Sequence, residues 1–233
     1  MRSLTLLDER GAMPSLQALS EQDATRPVVL IGFQKQGNLG IGYLAATLMR
    51  RGHRVKVLDF EDAAEQILAT IEAEAPVVVG FSLIFQFYLP RFRALMQYLR
   101  NHGVRCHFTI GGHFPSLSHE RTLELIPEVD SVVRFEGEVT LLELMESLIH
   151  DQDWRRIDGL AYRRDGRFVS NPLRHLLDDL DVLPFPYRQY EPTAILGQRT
   201  MPILASRGCS RTCSFCSIHM FYRAAPGRVV RIR

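Results

Sequence analysis

From residue 27 onward, continuous apolar runs of strand length alternate with segments whose apolar residues recur at helical spacing. Residues 28–33, 53–59, 77–82, 104–110 and 130–135 read as strands, and 41–49, 62–73, 89–102, 120–126 and 140–150 read as helices. Strands that are apolar throughout, interleaved with amphipathic helices, imply a parallel sheet covered on both faces. Five such units predict a doubly wound α/β domain with five parallel strands in flavodoxin-like order. A sheet of that kind takes its ligands outside the carboxyl ends of its strands, at the point where strand order reverses.

Those strand ends are where polar and glycine-rich residues collect. Gln34, Gly37 and Asn38 follow the first strand within a loop that also holds Lys35, Gly40 and Gly42, and Ser82 closes the third. Gly111, Gly112 and His113 follow the fourth, and Glu136, Gly137 and Glu138 the fifth. Glycine permits close backbone approach, and four such loops on one rim favour a large ligand. Each also has a plainer reading. Gly42 and its neighbours answer a packing need, His113 is a helix-entry residue satisfied by backbone, and Lys35 is a solvated turn residue. Glu136 and Glu138 complement the positive end of a helix dipole. No G-x-G-x-x-G opens the first helix, which argues against a dinucleotide.

Beyond residue 150 the pattern changes. Residues 159–170 form two short alternating runs about Asp165-Gly166, a hairpin signal. Residues 178–187 read as a proline-stiffened linker, and 200–206 as a strand. The expected organisation is an extension at 1–26, a ligand-binding domain at 27–150, a hairpin and linker at 151–198, and the start of another domain at 199–233.

That last segment carries Cys209, Cys213 and Cys216 with C-x3-C-x2-C spacing. Three thiolates on one loop suit three irons of a [4Fe-4S] cluster and leave the fourth iron open. With His219 the same thiols also make a four-ligand set for tetrahedral zinc. A disulfide framework fits worse, because three close cysteines leave one unpaired. Cys106, in the run 104–110, reads as a strand residue in or near the core.

Composition narrows the partners. The 233-residue chain has a formal net charge of +2 with acids and bases interspersed, which gives no argument for nucleic-acid binding. Its longest apolar stretch, 76–85, falls short of the ~20 residues of a membrane span. Residues 1–26 lack the apolar core of a signal peptide. A reduced, cytoplasmic location is expected.

The cysteine run, with aromatic Phe215 before its last cysteine, resembles the signature of the radical S-adenosylmethionine enzymes. The rim loops resemble the cobalamin-binding domain of the B12-dependent branch of that family, over residues 27–150. The resemblance implies that Cys209, Cys213 and Cys216 hold a [4Fe-4S] cluster whose open iron binds S-adenosylmethionine, with Phe215 near the adenine. An external one-electron reductant of flavodoxin or ferredoxin type would supply the electron. Ser82, Gly111 and Gly112 match positions lining the slot for the cobalamin nucleotide tail, and Gly137, flanked by Glu136 and Glu138, a loop beside the corrin. The D-x-H-x-x-G element is absent, since residues 32–37 read Gly-Phe-Gln-Lys-Gln-Gly. No histidine is offered to cobalt there, which fits a base-off, His-off cofactor.

The family's chemistry implies radical formation on a small-molecule substrate and delivery of a methyl group from methylcobalamin, with cyclisation or rearrangement as variants. Only 17 residues follow Cys216, whereas a barrel takes on the order of 200. The expectation is an amino-terminal part of a longer enzyme or a shortened relative, with its first barrel strand an unpaired edge. Arg207, Arg211 and Arg223 flank the cysteine loop and would steady its charge, or are surface residues. The rival functions are a non-catalytic cobalamin carrier with a vestigial cysteine loop, and a flavodoxin-like module with a zinc knuckle.

Overall fold

Alternation within each strand explains why the strands are apolar at nearly every position. In the computed structural model, which describes residues 27–233 apart from 36 and 190, strand β1 (Val28–Gly32) sends Val28 and Leu30 to one helical layer and Val29 and Ile31 to the other. Strand β3 (Val78–Ser82) divides in the same way, Val78 facing one layer, Val79 and Phe81 the other. Each residue therefore leaves water on one side or the other, a gain of roughly 1.5–3 kcal/mol for each large apolar side chain. The expected extension at 1–26 lies outside the described residues.

One layer consists of α1 (Leu39–Arg50) and α6 (Glu138–Ile149), the other of α2 (Ala64–Glu74), α3 (Leu89–Asn101) and α5 (His119–Leu125). Between them β1, β2 (Val55–Asp59), β3, β4 (His107–Gly111) and β5 (Ser131–Val133) run parallel in the order β2-β1-β3-β4-β5. This is the expected flavodoxin-like order, with the reversal between β1 and β3. Asn38 starts α1 by accepting the Ile41 N–H on its side-chain oxygen at 3.2 Å. On the α3 side Phe60 and Phe92 stack at 3.9 Å between ring centres.

The sheet is wider than the expected five strands. The hairpin read as part of a linker, β6 (Leu160–Arg164) and β7 (Arg167–Ser170), pairs antiparallel with β5 and makes a sheet of seven strands among the described residues. Arg134, buried at the end of β5, holds the hairpin by donating to the carbonyls of Gly159, Leu160 and Asn171. The linker then crosses α1, where Tyr187 N donates to Gly42 O at 2.9 Å. A Cβ on Gly42 would lie 2.6 Å from Tyr187 O, so this glycine answers a packing need.

Three further expectations are corrected. Cys106 precedes β4 rather than lying in it, and packs partly buried against the core. Residues 201–205 are irregular, with Met201 and Ile203 exposed, so the strand read at 200–206 reduces to β10 (Ser206–Arg207). It is not an unpaired edge, because β11 (Arg231–Ile232) pairs with it antiparallel. A separate hairpin, β8 (Thr193–Ile195) with β9 (Gln198–Thr200), precedes it. Among the described residues no helix is long and apolar enough to cross a membrane.

His107 at the start of β4 lies under Trp154, its Nε2 2.8 Å from Ser131 Oγ. Burial lowers its pKa to about 4. The unfolded chain takes up the proton near pH 6.5 and the folded chain only near 4, so stability is full above that window and falls as pH drops through it. The loss is on the order of 3 kcal/mol. Denaturant melts of the wild type and His107→Gln at pH 7 and pH 4 should show a smaller acid loss in the variant.

Candidate functional site

The layer alternation places small residues together. Gly32, Gly80, Ser82, Thr109 and Gly111 occupy positions of β1, β3 and β4 that face α1 and α6, close to the carboxyl ends of the strands. A Cβ on Gly80 would stand 2.8 Å from Leu30 Cδ2, and one on Gly32 3.1 Å from Ser82 Cβ. Without those atoms a cavity of about 60 Å3 remains between sheet and helices. Leu30, Thr109 and Val133 form its floor with Gly80, Phe81, Ser82 and Gly111, and Ile41, Leu44 and Leu141 its roof, while Gly112, Phe135 and Gly137 complete the lining. The cavity is narrow and mainly apolar, with the Ser82 hydroxyl and Thr109 as its polar groups.

Gly112 is fixed by its surroundings. Its φ is +111°, and a Cβ there would lie 2.2 Å from Leu83 O, so any side chain meets both backbone strain and a clash. It opens the short helix α4 (His113–Leu117). Burial lowers the pKa of His113, whose Nε2 has no hydrogen-bond partner, so backbone does not satisfy it. Asn38, besides capping α1, donates from Nδ2 to Ser82 Oγ at 3.5 Å. Gln34 is 8% exposed and its buried Nε2 is unpartnered. Gly37 closes the turn, its N–H donating to Gln34 O at 2.9 Å. Lys35 is an exposed turn residue paired with Asp62 at 3.0 Å.

Glu136 and Glu138 are engaged from within the protein. Arg207 donates from Nη1 to Glu136 Oε1 at 3.1 Å and from Nη2 to Glu138 Oε1 at 2.6 Å. Arg231 grips Glu136 with both terminal nitrogens, at 2.8 and 2.9 Å, and also donates to Leu177 O. Glu138, Arg207 and Arg231 are buried, and the Glu136 side chain is nearly so. Burial disfavours the Glu136 carboxylate, but Arg231 and Arg207 outweigh it and hold its pKa below the ordinary value. Burial likewise opposes the Arg207 charge, and Glu138 with Glu136 raises its pKa above the usual guanidinium range. Arg207 is thus neither a surface residue nor aimed at the cysteine loop, as its sequence position suggested. Arg211 and Arg223 are exposed.

The cysteine loop lies between β10 and α7 (Ile218–Ala224). Cys213 is exposed and Cys209 and Cys216 are partly so, all three as free thiols. Among the described residues no three or more His, Cys, Asp or Glu side chains gather closely enough to hold a metal ion, so the three thiols and His219 do not converge as a ready-made site. Phe215 is 91% exposed. The helix that follows returns to the rim, where Phe221 is buried with its ring 4.6 Å from His113 and 5.1 Å from Phe135.

Comparison with known proteins identifies the family and the fold. Residues 29–145 match the B12 binding domain family. The chain belongs to that family. This B12-binding chain is 30% identical over 185 residues to an uncharacterised methyltransferase of Pyrococcus horikoshii, covering 77% of the chain and 40% of the relative. It is 28% identical to a hopanoid C-3 methylase of Methylococcus capsulatus, covering 83% of the chain and 37% of the relative. The B12-binding chain thus spans about two fifths of the length of the curated relatives it matches. Its fold is that of OxsB, a cobalamin-dependent S-adenosylmethionine radical enzyme solved with aqua-cobalamin and S-adenosylmethionine (TM-score 0.68, 22% identity, 91% of this chain and 30% of that one). It is equally that of the radical S-adenosylmethionine methyltransferase TsrM of Kitasatospora setae (TM-score 0.67, 20% identity, 89% and 43%).

The residues present fit cobalamin. The glycine cradle leaves open an apolar slot that side chains would fill, and outside its lining, on the loop after β1, the buried Gln34 Nε2 has no partner. Ser82, Gly111, Gly112 and Gly137 meet on this slot. Leu30, Gly80 and Thr109 were not singled out from sequence, although the period-two series Val78-x-Gly80-x-Ser82 carries the signal. Ser82→Tyr, which fills the slot, should lower cobalamin retention about tenfold or more while the folded far-UV spectrum persists. Corrin absorbance after desalting measures it.

Proposed function

We propose that this B12-binding chain works with a [4Fe-4S] cluster and S-adenosylmethionine as part of a B12-dependent radical enzyme that transfers a methyl group to an unactivated carbon of a small molecule. The observation that carries the reading is the joint presence, in one chain, of a glycine-cradled B12 slot and a C-x3-C-x2-C loop. The names of the relatives support it, half of them being methyltransferases or methylases, while the other half are anaerobic magnesium-protoporphyrin IX monomethyl ester cyclases, such as that of Synechocystis (28% identical), and represent the variant chemistry.

When bound, cobalamin supplies a cobalt centre that carries a methyl group, and a cluster with S-adenosylmethionine supplies a radical able to abstract hydrogen. The chain's own part is binding and exclusion of water. Leu30, Val133 and Leu141 exclude water from the slot, Ser82 offers its hydroxyl as the polar anchor, and Gly80, Gly111 and Gly137 keep the backbone close. Residues 32–37 offer no histidine, so the cofactor would be held His-off. Cys209, Cys213 and Cys216 would hold three irons and leave one free for S-adenosylmethionine, a donor set that suits the soft iron sites of such a cluster. Phe215 is free to lie against an adenine. An external one-electron donor of flavodoxin or ferredoxin type and a reducing compartment such as the cytoplasm complete the requirement, since the three loop thiols are not protected by burial.

Anaerobic reconstitution with iron, sulfide and hydroxocobalamin tests the reading. The expected result is one corrin and about four irons per chain, with an electron paramagnetic resonance signal of the reduced cluster that changes on adding S-adenosylmethionine. Cys213→Ala should lose the iron and keep the corrin. Corrin without iron in the wild type would favour a cobalamin carrier, and absence of corrin would sink the assignment of the slot.

A further inference from the structure

Residues 208–217, which hold all three loop cysteines, are tied to the rim of the slot at both ends. At the entry, Arg207 stands two residues before Cys209 and binds Glu136 and Glu138, the residues on either side of slot-lining Gly137. At the exit, Phe221 packs against His113 and Phe135, which neighbour the slot residues Gly112 and Gly137 or line it directly. The entry has little slack. Arg207 pairs through its backbone with Arg231, which holds Glu136 from the other side. Gly208 follows at φ +91°, where a Cβ would fall 1.7 Å from Val229 O.

We propose that Glu136 is a positioning residue that couples the two cofactor sites, carrying a change at the slot through Arg207 and Arg231 to the cysteine loop. The inference rests on the assignment of the slot to cobalamin and of the loop thiols to a cluster. Gly137 has no side chain to absorb a displacement, and Val133 Cγ1 and Leu44 Cδ2 stand within 2.9 and 3.3 Å of where its Cβ would be. A packed interior passes such a shift on. Glu136 and the arginines move together, because separating them would leave uncompensated charge in the interior. Coupling of this kind is reciprocal, so a ligand on the thiols alters cobalamin affinity by the same factor.

The test reads the loop directly and needs no turnover. The anaerobic, cluster-free chain is alkylated with iodoacetamide, with and without saturating cyanocobalamin, and the peptides holding Cys209, Cys213, Cys216 and Cys106 are quantified by mass spectrometry. Corrin absorbance reports occupancy in each sample. Expected for the wild type is a slowing of the loop cysteines by about fivefold or more, with Cys106 unchanged. Glu136→Gln should abolish the slowing while corrin is bound. The paired change Glu136→Met with Arg231→Met, which removes a buried ion pair without stranding a charge, should do the same. Slowing that persists in the corrin-loaded variants, or a wild type that binds corrin with unchanged rates, overturns the proposal. Loss of corrin from both variants also overturns it, since Glu136 would then be needed for binding or folding. A wild type that retains no corrin overturns the slot assignment itself, and the missing absorbance distinguishes that case.

Discussion

Each strand of the parallel sheet has to satisfy two helical layers at once, and this constraint shapes the rest of the molecule. On the α2, α3 and α5 side the requirement is met by large side chains, among them Ile31, Phe81, Phe92 and Phe108. On the α1 and α6 side it is relaxed near the strand ends, where Gly32, Gly80, Ser82 and Gly111 replace the expected aliphatics. Leaving a void in a core is costly, about 24 cal/mol for each Å3. A sequence that keeps one at the switch point of the sheet gives up stability there for a ligand that restores the contacts.

The carboxylates beside the slot show how a local feature acquires a second use. Glu138 begins α6, where negative charge suits the helix dipole, and Glu136 sits two residues earlier. Both are taken up by arginines from the far end of the chain, 69 to 95 residues away. The balance of two acids against two bases lets the cluster be almost wholly withdrawn from water without net charge. It joins the segment after residue 200 to the B12-binding sheet more firmly than its two-residue strands could.

Much of the fold was legible because the parallel strands are apolar on both faces and the helices on one, patterns that need no knowledge of partners. The hairpin at Asp165-Gly166 was legible, but its docking was not, since the pairing of Ser131 with Tyr162 is fixed by the sheet edge and by Arg134. The run 200–206 misled because apolar composition was taken for burial, whereas Met201 and Ile203 are exposed. In the site, glycines at strand ends marked Gly111, Gly112 and Gly137 directly. Gly80 lies inside a strand, where only the phase of the alternation reveals that it opens a cavity. The pairing of Arg207 and Arg231 with Glu136 leaves no local signature at all.

The antiparallel hairpin also changes what the sheet offers to other chains. Three-residue β5 would otherwise form the outer edge, with its backbone groups open to pairing. With β6 and β7 added, the edge becomes a strand that begins with Arg167, preceded by Arg164 at the end of β6 and Asp165 in the turn, all exposed. A second copy pairing along β7 would have to dehydrate Arg167 of both chains. The sheet is thereby closed to further growth on that side by charge rather than by cover.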